Sequence, residues 1–441
     1  MGVKHLLPLL LLAVAARAED DRPERRVADG ELQTEINRAI ERGVAYLKFA
    51  EKRDGSWSYD GTLPGPVREE AAEEATGGLT ALALYALAAS CVPSEDPAIS
   101  RGLAWVKAHK EPFAADASYA TYSASLLTLA LTRIDSKRHR KQIEALAGRI
   151  AEGLLPGDLW TYRLDIAETA ERREGPRRPP PRGDHSNSQF AVLALWAAQA
   201  IAGCEVPRAT WQRIRNHFSR TQLGSGRWSY NPGIGGGPGG QESTNMTAAG
   251  LVSLVSAEAA LMGGVDALPM ARTVPEAIRG LDVFLRGPRN YADYYFVYSL
   301  ERVGTVLGVP DDPWYPPVAR ELIRVQTEEG RWPVRGNGAG PQHGDGKQVY
   351  ETSFALLFLS RATAYATTPK GIDLPDLADP ARLAKAFELY LAMPEARRRQ
   401  VAVEFRRAGD DGVVFLEAKR RAAEPRTSAA AAEILEAIRG S

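Results

Sequence analysis

Cysteine is almost absent from this chain: two in 441 residues. That excludes a disulfide scaffold, a cysteine-rich zinc site and an iron–sulfur cluster. Charge of one sign is also lacking, with 55 basic against 55 acidic residues. No basic excess supports nucleic-acid binding, and no acidic excess supports a solvating tail. Strand-like alternation of apolar and polar residues is nearly missing. After the first segment, no stretch reads as long and apolar enough to cross a membrane. What remains is ordinary globular composition, 44% hydrophobic and 25% charged, on a length that suggests two to three domains.

The first segment reads as a leader. Lys4 and His5 precede an apolar run from Leu6 to Ala16, and Ala16-Arg17-Ala18 supplies a small-x-small cleavage pattern. Residues 1–18 are therefore expected to be a signal peptide, and the mature protein to be exported, periplasmic or secreted. Cleavage leaves 53 basic against 55 acidic residues. No cysteine follows the run, which argues against a lipid anchor. No integral membrane segment is expected after cleavage.

Two kinds of helix then alternate. The first bears a single apolar stripe, as in Ile36, Ile40, Val44 and Leu47. The same spacing recurs at Ile99–Val106, Ile143–Leu154, Trp211–Phe218, Val274–Leu285 and Val318–Val325. Such helices lie on a surface with one face covered. The second kind is apolar nearly all round: GGLTALALYALAAS, YATYSASLLTLAL and NSQFAVLALWAAQAIAG, then TNMTAAGLVSLVSAEAALMGG, NYADYYFVYSLERVGTVLG and ETSFALLFLSRATAYA. These read as buried. Six of each in strict alternation predict an all-α fold, an (α/α)6 toroid with six inner helices and six outer ones returning. The alternative is an open solenoid of helix pairs, against which the uneven spacing of the inner helices counts.

Inner-to-outer connections are short: Cys91–Asp96, Ile134–Ser136 and Cys204–Val206. Outer-to-inner connections are long and rich in Gly and Pro: Glu51–Ala75, Pro156–His185, Leu223–Ser243 and Glu328–Tyr350. Long loops in a compact domain are usually functional or disordered. In a toroid all four fall over the N-termini of the inner helices, whose free N–H groups favour an anionic or hydroxyl-rich ligand. Cys91 and Cys204 end inner helices one and three, too far apart in a ring for a disulfide.

Four of these loops share a further pattern: RDGSWSYD, GDLWTY, QLGSGRWSYNPG and QTEEGRWPV. Two match Gln-x-x-x-Gly-x-Trp, at Gln222/Gly226/Trp228 and Gln326/Gly330/Trp332. The Gly allows a tight turn, the Trp packs beneath it and the Gln is expected to cap a helix end. With the alternating buried helices, these elements make residues 34–367 resemble the prenyltransferase and squalene-cyclase repeat superfamily. That resemblance implies a terpenoid-cyclase-like α/α toroid. The activities found in the family are not implied, because their residues are missing. There is no Asp-x-Asp-Asp; Asp311-Asp312 precedes Pro313, and Asp410-Asp411 lies beyond the ring. Ala89 and Ala202 stand two before each Cys, where zinc-binding prenyltransferases have Asp. Cys91 and Cys204 are followed three residues on by Ser94 and Pro207, so the thioester Cys-x-x-Gln is absent as well.

Each inner helix opens with polar or aromatic residues. Helix capping accounts for some. The functional alternative is a pocket at the ring's mouth. There Asp184, His185, Tyr294 and Glu351 are candidate catalytic residues, acting as acid and base. Asn187, Gln189, Asn245, Asp293 and Tyr295 are candidate ligand-binding residues. If they form one pocket, His185 should be at least partly buried with a carboxylate in hydrogen-bond reach. No metal site is expected, since no ligand spacing supports one through His185 and His343, and no cofactor is implied. The function expected first is binding of a small molecule or glycan; the second is an enzyme, a lyase, glycosidase or cyclase-like, acting on a polyol, glycan or isoprenoid.

The end of the chain differs. After TTPKGIDLPDLADP, residues 379–441 form a helical C-terminal region. GVVFLEAKRRAAEPRTSAAAAEILEAI resembles one HEAT-like helical pair, either a cap on the toroid or a surface for a protein partner.

Overall fold

The computed structural model describes residues 24–58, 69–165, 182–232, 242–262, 293–306, 314–334, 345–360, 409–421 and 424–439, with a few positions between 383 and 391. The leader lies outside them, as does the outer-helix stripe Val274–Leu285. Thirteen α-helices occur among the described residues, with one two-residue strand pair, β1 (Trp228–Ser229) and β2 (Glu242–Ser243).

Eleven helices build the ring. The inner ones are α2 (Glu69–Ala89), α4 (Ala120–Asp135), α6 (His185–Ala200), α8 (Thr244–Met262), α9 (Tyr294–Val306) and α11 (Asp345–Leu359). The outer ones are α1 (Glu24–Ala50), α3 (Pro97–Ala108), α5 (Arg140–Glu152), α7 (Arg208–Arg220) and α10 (Tyr315–Val325). Around the ring α2 packs on α4, α4 on α6, α6 on α8, α8 on α9, α9 on α11, and α11 back on α2. That last contact closes the circle and excludes the open solenoid. Outside it, α3 covers α2, α5 covers α4 and α6, α7 covers α8, and α1 covers α11 and touches α10.

Composition explains the layering. Inner helices are buried on both faces, so they need residues that let neighbours approach. Ala81, Ala83 and Ala86 in α2 and Ala191, Ala194 and Ala198 in α6 are fully buried. Helix α8 is long and apolar enough to span a bilayer by composition alone, contrary to the sequence reading. It is mostly buried inside the protein, which marks it as a core helix. The inner helices run in one direction. At one end, Glu74 at the start of α2 accepts a hydrogen bond from Ser118 N, just before α4 (3.0 Å). At the other, Ser90 and Ser360, which follow α2 and α11, are joined through their hydroxyls (2.9 Å). Cys91 and Cys204 form no disulfide and follow α2 and α6, which are second neighbours in the ring.

The four Gly/Trp loops are one structure repeated. In each, a tryptophan indole Nε1 donates to a carbonyl ten residues earlier, at the end of an outer helix. The pairs are Trp57–Leu47, Trp160–Ile150, Trp228–Phe218 and Trp332–Leu322, at 2.6–2.9 Å. In each, the tryptophan backbone N–H donates to a hydroxyl on the next inner helix: Thr80, Ser188, Thr247 or Thr352. The residue two before each Trp has a positive φ: Gly55, Asp158, Gly226 and Gly330. All four indoles are fully buried. At ~200 Å² each and about 25 cal/mol per Å², each contributes on the order of 5 kcal/mol before entropy. The glutamines differ from expectation. Gln222 and Gln326 donate to Gly226 O and Gly330 O, bracing the turn itself, and Gln326 also reaches Ala39 O inside α1.

The C-terminal region has its own apolar cluster. Helices α12 (Gly409–Arg420) and α13 (Pro425–Arg439) pack together through Leu416, Ala430, Ala431, Ile434 and Leu435, joined by Leu383, Phe387 and Tyr390.

Two substitutions test the repeated turn. Thr352→Val keeps the shape but leaves the buried Trp332 N–H unpaired, so urea denaturation should show a loss of about 1–3 kcal/mol. Gly250→Ala places a Cβ 2.3–2.7 Å from the Trp228 indole, and should cost a similar ~1–3 kcal/mol through overpacking. Wild-type midpoints for both would show that the turns are not structural.

Candidate functional site

The start of α6 carries five consecutive residues of the DHSNSQ motif, and their side chains part in different directions. Asp184 is the N-cap. Its Oδ1 accepts from Asn187 N (2.8 Å) and its Oδ2 from Asn187 Nδ2 (2.8 Å). Asp184 and Asn187 thus close the helix end on each other. Burial raises the Asp184 carboxyl above its ordinary range, and the bonds from Asn187 work against that.

His185 is fully buried and turns outward, to α7. Its Nδ1 lies 2.7 Å from Ser229 O, and its Nε2 lies 3.1 Å from His217 Nε2. A carbonyl only accepts, so the neutral ring carries its proton on Nδ1, and its bare Nε2 accepts from His217 Nε2–H. Phe218 covers both rings. Burial pushes His185 down to about 4 and, aided by the neighbouring His185 and Arg220, His217 down to about 3. His185 is buried as expected, but its side-chain partners are a histidine and a backbone carbonyl instead of the anticipated carboxylate. His217 escaped the sequence reading because it sits inside an amphipathic helix read only for its apolar stripe.

Ser186 faces the neighbouring inner helices. Its Oγ lies 2.7 Å from the Tyr122 hydroxyl on α4 and 3.3 Å from the Tyr295 hydroxyl on α9. Tyr295, not Tyr294, makes this contact; Tyr294 is fully buried in the core one residue earlier. Burial raises Tyr122 well above the usual phenol range and pushes Tyr295 up to about 12, and the Asp184 charge adds to both. Tyr230, also raised by burial, and Tyr162 stand beside this chain with about two-fifths of their surface exposed. Tyr122, Tyr230 and Tyr295 therefore remain protonated donors.

A second polar group lies across α8, α9 and α11. Asn245 Nδ2 donates to Asp293 Oδ2 (2.9 Å), while Asp293 Oδ1 accepts from Phe296 N (3.1 Å) and so caps α9. Glu351 is buried and pairs with Lys347 Nζ (3.2 Å). Burial pushes Glu351 up to about 7; Lys347 opposes the shift and the Asp293 charge adds to it. The Asp293 charge also acts on Tyr295. The Asp184 and Asp293 charges thus both act on Tyr295, and the Asp293 charge on Glu351, along the rim of inner-helix starts to which Asn245 is tied through Asp293. Gln189 is deeper: it is fully buried and accepts from Arg302 Nη2 (2.9 Å).

Below the rim the wall is aromatic. Phe190 meets Tyr122 and Tyr295, and Phe354 meets Tyr295, Tyr298 and Tyr350, at centroid distances of 4.7–6.0 Å. No cluster of three or more His, Cys, Asp or Glu side chains suited to a metal occurs among the described residues. One shallow depression of about 490 Å³ lies apart from the rim, between Lys52–Ser58 and the end of α3 at Trp105 and His109.

No family model and no curated protein matches the chain. Among solved structures, two of the type II terpene cyclase MstE from Scytonema are similar to it, one in complex with the substrate geranylgeranyl dihydroxybenzoate and one with the product merosterolic acid A. Each is 14% identical, has a TM-score of 0.46, and covers 75% of this chain and 98% of the cyclase chain. The ring rests on its own helix packing.

The histidine pair makes a pH prediction. Both rings are held neutral in the folded chain, whereas unfolded histidines titrate near 6.5. Unfolding therefore takes up protons below that value, and the stabilisation is complete above pH ~6.5 and is lost as pH falls toward ~4. Thermal melts should show a steep decline over this window. His217→Phe should flatten it, and an unchanged slope in that variant would place the acid sensitivity elsewhere.

Proposed function

We propose that this chain is an exported toroid that binds a hydroxyl-bearing ligand at the mouth of its ring. One observation carries the reading: hydroxyls from three inner helices, Tyr122, Ser186 and Tyr295, converge on one another. Protonated phenols and a serine provide donors and acceptors at one place. The rim carboxylates of Asp293 and Glu351 and the amide of Asn245 extend the set. The aromatic wall beneath suits the apolar face of a sugar ring or a hydrocarbon. Export is supported by the Lys4–Ala18 leader pattern. Cyclase and prenyltransferase activity is not part of the reading, because the Asp-x-Asp-Asp and Asp-x-Cys residues are absent from the chain.

A second reading, an enzyme, has its own support in Glu351. A buried carboxyl pushed up to about 7 is about half protonated at neutral pH, and its protonated form can give a proton to a substrate. Neighbouring Lys347 can stabilise the carboxylate left behind.

Thermal-shift screening of the purified chain against glycans, polyols and isoprenoid alcohols tests the first reading. A binder should raise the melting temperature saturably, and Tyr295→Phe should weaken its affinity about tenfold with little change in the free protein's stability. Stabilisation that ignores Tyr295 and Ser186 would overturn the mouth site. Turnover of the same ligand would favour the enzyme. In that case the rate should be highest below pH ~7, where Glu351 is protonated, and Glu351→Gln should lower kcat by about 10²-fold or more.

A further inference from the structure

Seven residues beyond Tyr295 on α9, about 10 Å further along the helix axis, stands Arg302. It is fully buried. Its Nη2 donates to Gln189 Oε1 (2.9 Å) and to Ser299 Oγ (2.7 Å). Its guanidinium carbon lies 4.1 Å from the Tyr298 ring centroid and 5.5 Å from that of Phe190. None of these partners is a carboxylate. Arg302 Nε and Nη1 have no hydrogen-bond partner, and neither does Nε2 of Gln189, itself fully buried. Three nitrogens able to donate are thus open around one desolvated cation.

The surrounding charges do not complete it. Glu301 is equally buried, but consecutive helical residues point about 100° apart, and it has other partners. Buried cations are ordinarily matched by an anion that accepts from them. A monovalent acceptor balances one guanidinium, whereas a dianionic phosphate would leave charge in a dry site. The rings of Phe190 and Tyr298 face the guanidinium, and Phe354 contacts Tyr298 and Tyr295, which favours an apolar body over a polar one.

We infer that Arg302 and Gln189 form the floor of the binding site and take the carboxylate of an amphipathic ligand whose apolar body lies along Phe190, Tyr298 and Phe354. This rests on the mouth site for the ligand's route and adds its chemical class. Arg302 supplies charge and one open N–H to a carboxylate oxygen, and Gln189 orients the guanidinium through Oε1 while offering Nε2 to the second oxygen.

Calorimetric titration of the full chain with octanoate, octanol and acetate tests it. Octanoate should bind saturably at one site, octanol at least about tenfold more weakly, and acetate more weakly again. Arg302→Met should abolish the preference for octanoate over octanol. Because that variant also removes buried contacts, Gln189→Glu is the cleaner probe. It places a carboxylate beside Arg302 within the chain itself, so it should raise the melting temperature and lower octanoate affinity about tenfold. Equal binding of octanoate and octanol, acetate binding as tightly as octanoate, or undiminished octanoate binding by Gln189→Glu would each overturn the inference. Tyr295→Phe separates the two readings. If it weakens hydroxylated ligands while octanoate shows no charge preference, the floor fails and the mouth stands. Arg302-dependent octanoate binding in a chain whose mouth variants change nothing would have the opposite meaning.

Discussion

The ring depends on how each outer helix is tied to the inner helix that follows it. A helix ends with carbonyls that have no partner inside the helix. Here a tryptophan beyond the turn reaches back ten residues to one of them, and its own backbone N–H is taken by a hydroxyl on the next inner helix. One buried side chain therefore fixes the exit of one helix and the approach of the next. The same pair of bonds appears at four junctions. Glycines make room: Gly102 faces Trp57, Gly250 faces Trp228 and Gly43 faces Trp332, each where a Cβ would press on the indole. The junctions set the angle between layers, and the closure of α11 on α2 follows once enough of them agree.

How much of this a sequence discloses depends on whether the residue type is tied to its task. Gly226 and Gly330 were legible because a left-handed turn favours glycine. Asp158 takes the same backbone position with φ 64° and was not, although aspartate is among the few other residues that tolerate it. Arg213 and Arg220 both bind the Asp158 carboxylate, which helps hold the turn without glycine. The receiving hydroxyls, Thr80, Ser188, Thr247 and Thr352, read as minor polar interruptions in apolar helices. Their role appears only when the partner tryptophan, 19 to 28 residues away in sequence, is seen beside them.

The polar openings of the inner helices were legible, but their pairings were not. Within the DHSNSQ motif, however, neighbours on a helix point about 100° apart, so adjacency in sequence meant separation in space. Asp184 closes its own helix, His185 joins α7, Ser186 joins the phenols and Gln189 joins Arg302. Glu351 was identifiable as an acid at a helix opening. Its near-neutral titration arises from burial with Asp293 nearby, more than fifty residues away, and no local pattern encodes that.

Polarity down the ring then has a physical logic. Carboxylates and hydroxyls occupy the rim, where helix N-termini and water can support them. Aromatic rings occupy the middle. Arg302 sits lower, held by a glutamine and by the faces of Tyr298 and Phe190. A cation there stabilises nothing in the fold that an apolar side chain of similar volume could not stabilise better. Its persistence beside open N–H groups is intelligible if another anion completes it. The tryptophan junctions bear on this as well, since a desolvated guanidinium keeps its position only in walls that do not yield. The outer ties and the incompletely paired interior are therefore two sides of one arrangement: tryptophan junctions hold the circumference, and open N–H groups remain among the inner helices.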